Sequence, residues 1–270
     1  MKMTASGDRP KNLRSAGAIA FLTVDTLFWS KKTIFIAFIS ILVLVLAMLG
    51  RFVLSYHWIR APFTPMQVFG ALLSTAVIHF LVAFVSLFYG TALISEELEG
   101  KTLTYLFVRP ISKPVVMLGK FVALIWISSI LVLPSVILCY VILYLGKQPI
   151  FEDAPVLAKD LGVLFLALLA YGSLFSLLGA WLRHSVLVGL LYAFGWEGII
   201  LYMPGVTRKL TLGHYIQSIL PHDDATTALA SMFGQLSSPI ESIVTLLLLS
   251  TLFLAIACLI VREKEYILDQ

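Results

Sequence analysis

Charge is what this sequence has least of. Only 13% of its 270 residues are Asp, Glu, Lys or Arg, against roughly a quarter in soluble domains, while 60% are apolar and the mean hydropathy is +0.97. So little charge is incompatible with a water-soluble fold of this size and makes the chain an integral membrane protein. Cysteine is nearly absent. Cys139 and Cys258 both lie in apolar runs, where a thiol behaves as a small hydrophobe, so neither a disulfide framework nor a zinc site is indicated. No short apolar core followed by a small-residue cleavage site precedes the first long run, and no removable signal peptide is expected. HExxH, GxSxG, an intramembrane GxGD pair and the GxxxxGK[ST] phosphate cradle are all missing. The chain is therefore expected not to be an enzyme, not to hydrolyse ATP unaided, and to hold no metal or cofactor of its own. The longest loop, 204–239, is too short for an independent domain, so 1–270 reads as a single transmembrane domain.

Long apolar runs are what the sequence does have. Crossing about 30 Å of hydrocarbon takes roughly 20 helical residues. Six stretches qualify: 33–56, 66–94, 115–145, 159–182, 185–203 and 240–261. The expected fold is all-α with six transmembrane helices. Of the 19 Lys and Arg residues, those at 2, 9, 11, 14, 31, 32, 101, 109, 113, 120, 183, 262 and 264 fall on one side of such a topology. Only Arg51, Arg60, Lys147, Lys159, Arg208 and Lys209 fall on the other. This asymmetry places both termini in the cytoplasm. A net charge of +4 spread this thinly beside apolar segments suits anionic lipid rather than nucleic acid.

Residues 13–32 precede the first span, with Leu13, Gly17, Phe21, Val24 and Phe28 at helical spacing. They read as an amphipathic helix lying on the leaflet rather than an extension of the span, because Asp25 would be costly in hydrocarbon. Pro134 should kink the third span. In the fourth, Gly172, Ser176 and Ala180 fall every four residues and form a small-residue stripe for helix packing. Within the loop 204–239, residues 210–220 are expected to form a short interfacial helix. His222, Asp223 and Asp224 read as a helix cap rather than a metal site.

Three side chains stand out at membrane depth. Glu197 is an acidic residue well inside an apolar run, and a charge there marks either a pathway or a buried structural pair, with His79 as one candidate partner. Taken by itself, His79 reads as a hydrogen-bonded core histidine. Trp196 adjoins Glu197 and joins these two as a candidate for the pathway or its gate.

The loop 95–113 carries most of the remaining information. Ser95 is placed to cap a short cytoplasmic helix whose first turns hold Glu96, Glu97 and Glu99, a favourable arrangement at the positive end of a helix dipole. Pro110 and Pro114 stop it, leaving Leu103, Tyr105, Leu106 and Phe107 beside Arg109 and Lys113. An apolar and basic knob of this kind suits protein docking. The stretch Ile94-Ser95-Glu96-Glu97, Gly100, Thr102-Leu103, Leu106, Arg109-Pro110-Ile111-Ser112-Lys113 and Gly119-Lys120 resembles the segment after the second span in ABC-2 type permeases. Lys101, between Gly100 and Thr102, is a minor departure. Residues 195–197, 203–205, 208–211 and 214–215 are similar to the fifth-span exit of one branch of such permeases.

The resemblance implies that 96–107 is a coupling helix seated on a separate ATP-binding-cassette ATPase, which binds the ATP and Mg. It also implies that two permease subunits, identical or related, enclose the pathway, and that transport is outward across the cell membrane. A secondary transporter or channel would call for more intramembrane ionisable groups, and an intramembrane enzyme for a paired nucleophile and base or a metal triad.

Overall fold

A computed structural model of the chain describes residues 23–24, 30–55, 64–99, 113–145, 153–200, 206–220 and 237–263. The described residues are helical or in short connections, with no strand among them. Helix α1 spans Lys31–Ser55. Helix α2 covers 65–99: it starts at Pro65–Leu72, widens into a π segment at Leu73–Val82 and resumes as Ala83–Glu99. Helix α3 is Lys113–Tyr144 and α4 is Ala154–Trp181. Helix α5 covers Ser185–Ile200 and contains a second π segment at Leu191–Trp196. A 3-10 turn, Val206–Leu210, leads to α6, Leu212–Ile219, and the last helix, α7, is Pro239–Glu263.

Among the described residues five helices are long and apolar enough to cross a membrane: Lys32–Ser55, Pro65–Leu93, Lys113–Tyr144, Ala154–Trp181 and Pro239–Glu263. Of the expected fifth span, 185–203, residues 185–200 are described. Its described helix ends at Ile200 and at 1.5 Å per residue reaches only about 24 Å.

Proline sets where several helices begin. Pro65 sits at the first turn of α2 behind Thr64, whose hydroxyl accepts from Gln67 N–H while Gln67 accepts from Thr64 N–H, a reciprocal capping box. Proline also lies in the first turn of α4 and opens α7. The π segment of α2 leaves carbonyls off the usual ladder, and side chains take them. Ser74 and Thr75 donate to the Ala71 carbonyl at 3.2 and 2.5 Å, and His79 Nδ1 donates to the Ser74 carbonyl at 2.5 Å.

Helix α4 is the axis of the bundle, with α2, α3 and α7 packed along it and α1 packed on α3. The expected stripe on α4 divides between neighbours. A Cβ on Gly172 would meet Leu124 and Ile125 of α3 at 3.0 and 3.3 Å, whereas Ser176 faces Gly90 of α2, and Ala180 is buried. The closest approach to backbone atoms involves two residues outside the stripe. A Cβ on Gly179 would stand 2.8 Å from the Thr91 carbonyl oxygen, and one on Gly90 would stand 2.8 Å from Phe175 Cβ and 3.1 Å from the Ser176 nitrogen. In lipid, where apolar surface is not driven together by water, such backbone contact is what holds helices together. Gly189 of α5 likewise lies against Leu87 and Phe175.

One expectation at the end of α2 is corrected. Ser95 does not cap a new helix, because the helix from Ala83 runs unbroken through it to Glu99. Glu96, Glu97 and Glu99 therefore occupy the last turns of α2, toward the negative end of its dipole, and not the first turn of a separate helix. Residues 100–112, most of the interfacial segment 13–32, and 221–236 with His222, Asp223 and Asp224 lie outside the described residues.

Candidate functional site

Glu197 follows directly after the π segment of α5. Trp196 and Ile199 are 47% and 60% exposed, while Glu197, about 100° and 160° from them around the helix, faces inward and is 1% exposed. Two donors converge on one of its oxygens. The Tyr171 hydroxyl of α4 and the Gly213 backbone N–H of α6 each lie 2.6 Å from Glu197 Oε1. Tyr171 is itself buried, and the Tyr192 hydroxyl on α5 lies against the backbone of Leu212. The other carboxyl oxygen, Oε2, is buried without a hydrogen-bond partner among the described residues.

This geometry makes Glu197 a helix cap supplied from another helix. The first N–H groups of any helix lack intrahelical acceptors. In α6, Thr211 Oγ1 accepts from His214 N–H and Glu197 accepts from Gly213 N–H. His79, the partner suggested by the sequence, has a different role, since its ring donates to its own helix. Trp196 points outward from α5 and is not part of the clamp. The sequence signal for the true partners was faint: Thr211 is a recognisable cap residue, but nothing in the spacing singles out Tyr171.

The rest of α6 is fastened toward α7. His214 Nε2 lies 3.1 Å from Ser237 Oγ and Ser218 Oγ accepts from Ser237 N–H, while Gln217 Oε1 accepts from Arg208 of the preceding 3-10 turn at 3.1 Å. Burial, with help from the Arg208 and Lys209 cations, pushes the His214 imidazole down to about 4. An unfolded histidine titrates near 6.5, so the fold favours the neutral ring. The resulting stability is present above pH 6.5 and lost as pH falls through 6.5 towards 4. Acidification from pH 7 to 5 should therefore lower the Tm of the wild-type protein more than that of His214→Gln, by the equivalent of about 1–2 kcal/mol. Equal shifts in the two proteins would contradict this.

At the end of the bundle where α2 stops and α3 starts, Lys120 is buried and its ammonium donates to the Leu93 carbonyl at 2.9 Å. Thr33 of α1 and Tyr89 of α2 share a hydrogen bond of 2.7 Å nearby in sequence to the same terminus. The helices flanking 100–112 are thus tied together before the chain leaves the described region. Between α1 and α2 lies an apolar groove of about 460 Å³ lined by Phe35, Phe38, Leu42, Phe80 and Phe84 among others. Phe80, Phe84 and Phe88 recur every four residues and stack at 6.4 and 6.0 Å, with Phe194 of α5 against the first two. Among the described residues no group of three or more His, Cys, Asp or Glu could hold a metal.

No curated protein matches the chain. A family model described as ABC-2 family transporter protein matches residues 29–196, which takes in α1 to the π segment of α5 and stops one residue before Glu197. With a match over well more than half of a multi-helix membrane chain, the protein belongs to the ABC-2 transporter family.

Proposed function

We propose that this chain is the membrane-spanning permease subunit of an ATP-driven exporter. Two copies, or this chain and a related one, would form the pathway in the cell membrane, and a separate ATP-binding-cassette ATPase would bind ATP and Mg on the cytoplasmic side. The family match over α1 to α5 carries this reading, and the cation asymmetry supports cytoplasmic termini.

In this reading the segment from Glu96 through Gly100, Thr102, Leu103, Tyr105, Leu106, Arg109, Pro110 and Ser112 to Lys113 meets the ATPase. The buried Lys120–Leu93 bond supports it, because a push on the loop would move the ends of α2 and α3 as one body. ATP can drive transport only through contacts that differ between inward- and outward-open states. Affinity purification of the tagged chain from its native membrane should recover a P-loop ATPase in stoichiometric amount. Recovery of the permease with no ATPase, under conditions that preserve membrane complexes, would overturn the proposal.

A further inference from the structure

We infer that Glu197 is the pin of a gate: its carboxyl holds α6 against α4 and α5 while the pathway is closed on that side, and gives up the Gly213 N–H when the pathway opens. The inference deepens the permease reading and rests on it for the link to nucleotide. Three observations carry it.

The first is convergence. One oxygen joins three elements far apart in sequence: α4 through Tyr171, α5 through Glu197 itself and α6 through Gly213. The other polar side chains of α6 point elsewhere, His214 and Ser218 to Ser237 and Gln217 to Arg208. Among the described residues Glu197 is thus, with the Tyr192 hydroxyl on the Leu212 backbone, a polar link between the α6–α7 unit and the α4–α5 pair.

The second is the unpartnered oxygen. A clamp built for stability alone would satisfy both carboxyl oxygens, since a half-satisfied buried polar group is costly. Here Oε2 is buried without a partner among the described residues although the residue is 1% exposed. Giving up the Gly213 N–H breaks one hydrogen bond and lets water reach both that N–H and Oε2.

The third is the π segment Leu191–Trp196 immediately before Glu197. A π turn holds one residue more than an α turn, and returning it to α geometry rotates the following residue by about 100° without breaking the helix. That rotation would carry the carboxyl off Gly213. Glu197 is therefore a positioning residue, acting on α6 and not on cargo.

Hydrogen exchange at the Gly213 amide, in the purified permease–ATPase complex in lipid nanodiscs, tests this. In wild type, trapping with ATP and vanadate should speed Gly213 exchange at least tenfold over the nucleotide-free state. Glu197→Ala should exchange fast in both states while α3 and α4 stay protected. Glu197→Gln, which keeps an acceptor for both donors, should restore the nucleotide dependence. Equal wild-type protection in both states, or a Gly213 in Glu197→Ala as protected as in wild type, would overturn the inference. Should Glu197→Ala not assemble, Tyr171→Phe removes one donor and should still raise exchange several-fold; unchanged exchange counts against the clamp. The nucleotide-free permease alone gives the same comparison between wild type and variants, so a missing ATPase would sink the permease reading without touching the clamp.

Discussion

Gly179→Leu will push α2 and α4 apart and lower the Tm of the purified protein by roughly 5–10 °C. The reason is that nothing near Gly179 can rotate away. A Cβ there would meet the Thr91 carbonyl oxygen at 2.8 Å, Thr91 Cα at 2.9 Å and the Gly90 carbonyl oxygen at 3.1 Å, all of them backbone atoms. Overpacking in a core costs about 1–3 kcal/mol when side chains can adjust, and here the helices themselves must separate, so the upper end applies. For a chain of this size each kcal/mol moves Tm by about 2–4 °C. Gly162→Leu on the same helix is the control: its Cβ would meet no atom within 4 Å, and exchanging glycine for leucine favours the helix. Thermal unfolding in one detergent compares the two. A Gly179→Leu protein that melts with Gly162→Leu would show that the α2–α4 contact is not what holds the bundle.

The double substitution Leu103→Asp with Leu106→Asp will weaken association with the ATPase at least 100-fold while leaving the melting of the bundle unchanged. Both leucines belong to the apolar part of the loop that the coupling reading seats on the ATPase. A carboxylate buried without a partner in an interface costs several kcal/mol, and about 2.8 kcal/mol already corresponds to 100-fold. Pull-down of the ATPase by tagged permease, at fixed concentrations of both, measures the effect. Glu197→Ala serves as the contrast and should retain the ATPase. Undiminished recovery with the double variant would remove 96–107 from the interface.

The two predictions differ in how far the sequence could have led to them. The coupling reading of the loop draws on local information: apolar residues ahead of Pro110 and Pro114, in a pattern that resembles ABC-2 permeases. The glycine contact does not. Gly172, Ser176 and Ala180 form a visible repeat of four, yet Gly179 lies outside it, and its partner Gly90 sits on another helix. Small-residue spacing indicates that a helix can be approached closely, but not from which direction. The same limit applies to Ser95. Its cap propensity was real, but capping needs the preceding residues to leave helical geometry, and the helix from Ala83 runs straight through to Glu99.

The sequence by itself determined that the chain lives in a membrane, where its long helices run, and where several of them begin. These are additive properties of local composition: transfer of apolar side chains into lipid, and prolines that suit a first turn. Only the tertiary structure decided what Glu197 does. It lies on the inward face of α5, directly after the π segment, and hydrophobic periodicity does not reveal which distant helices cover that face. Its partners, Tyr171 and Gly213, come from helices 26 and 16 residues away. A lone acidic residue in an apolar run announces that a partner must exist; which donors meet it is fixed by how distant helices pack.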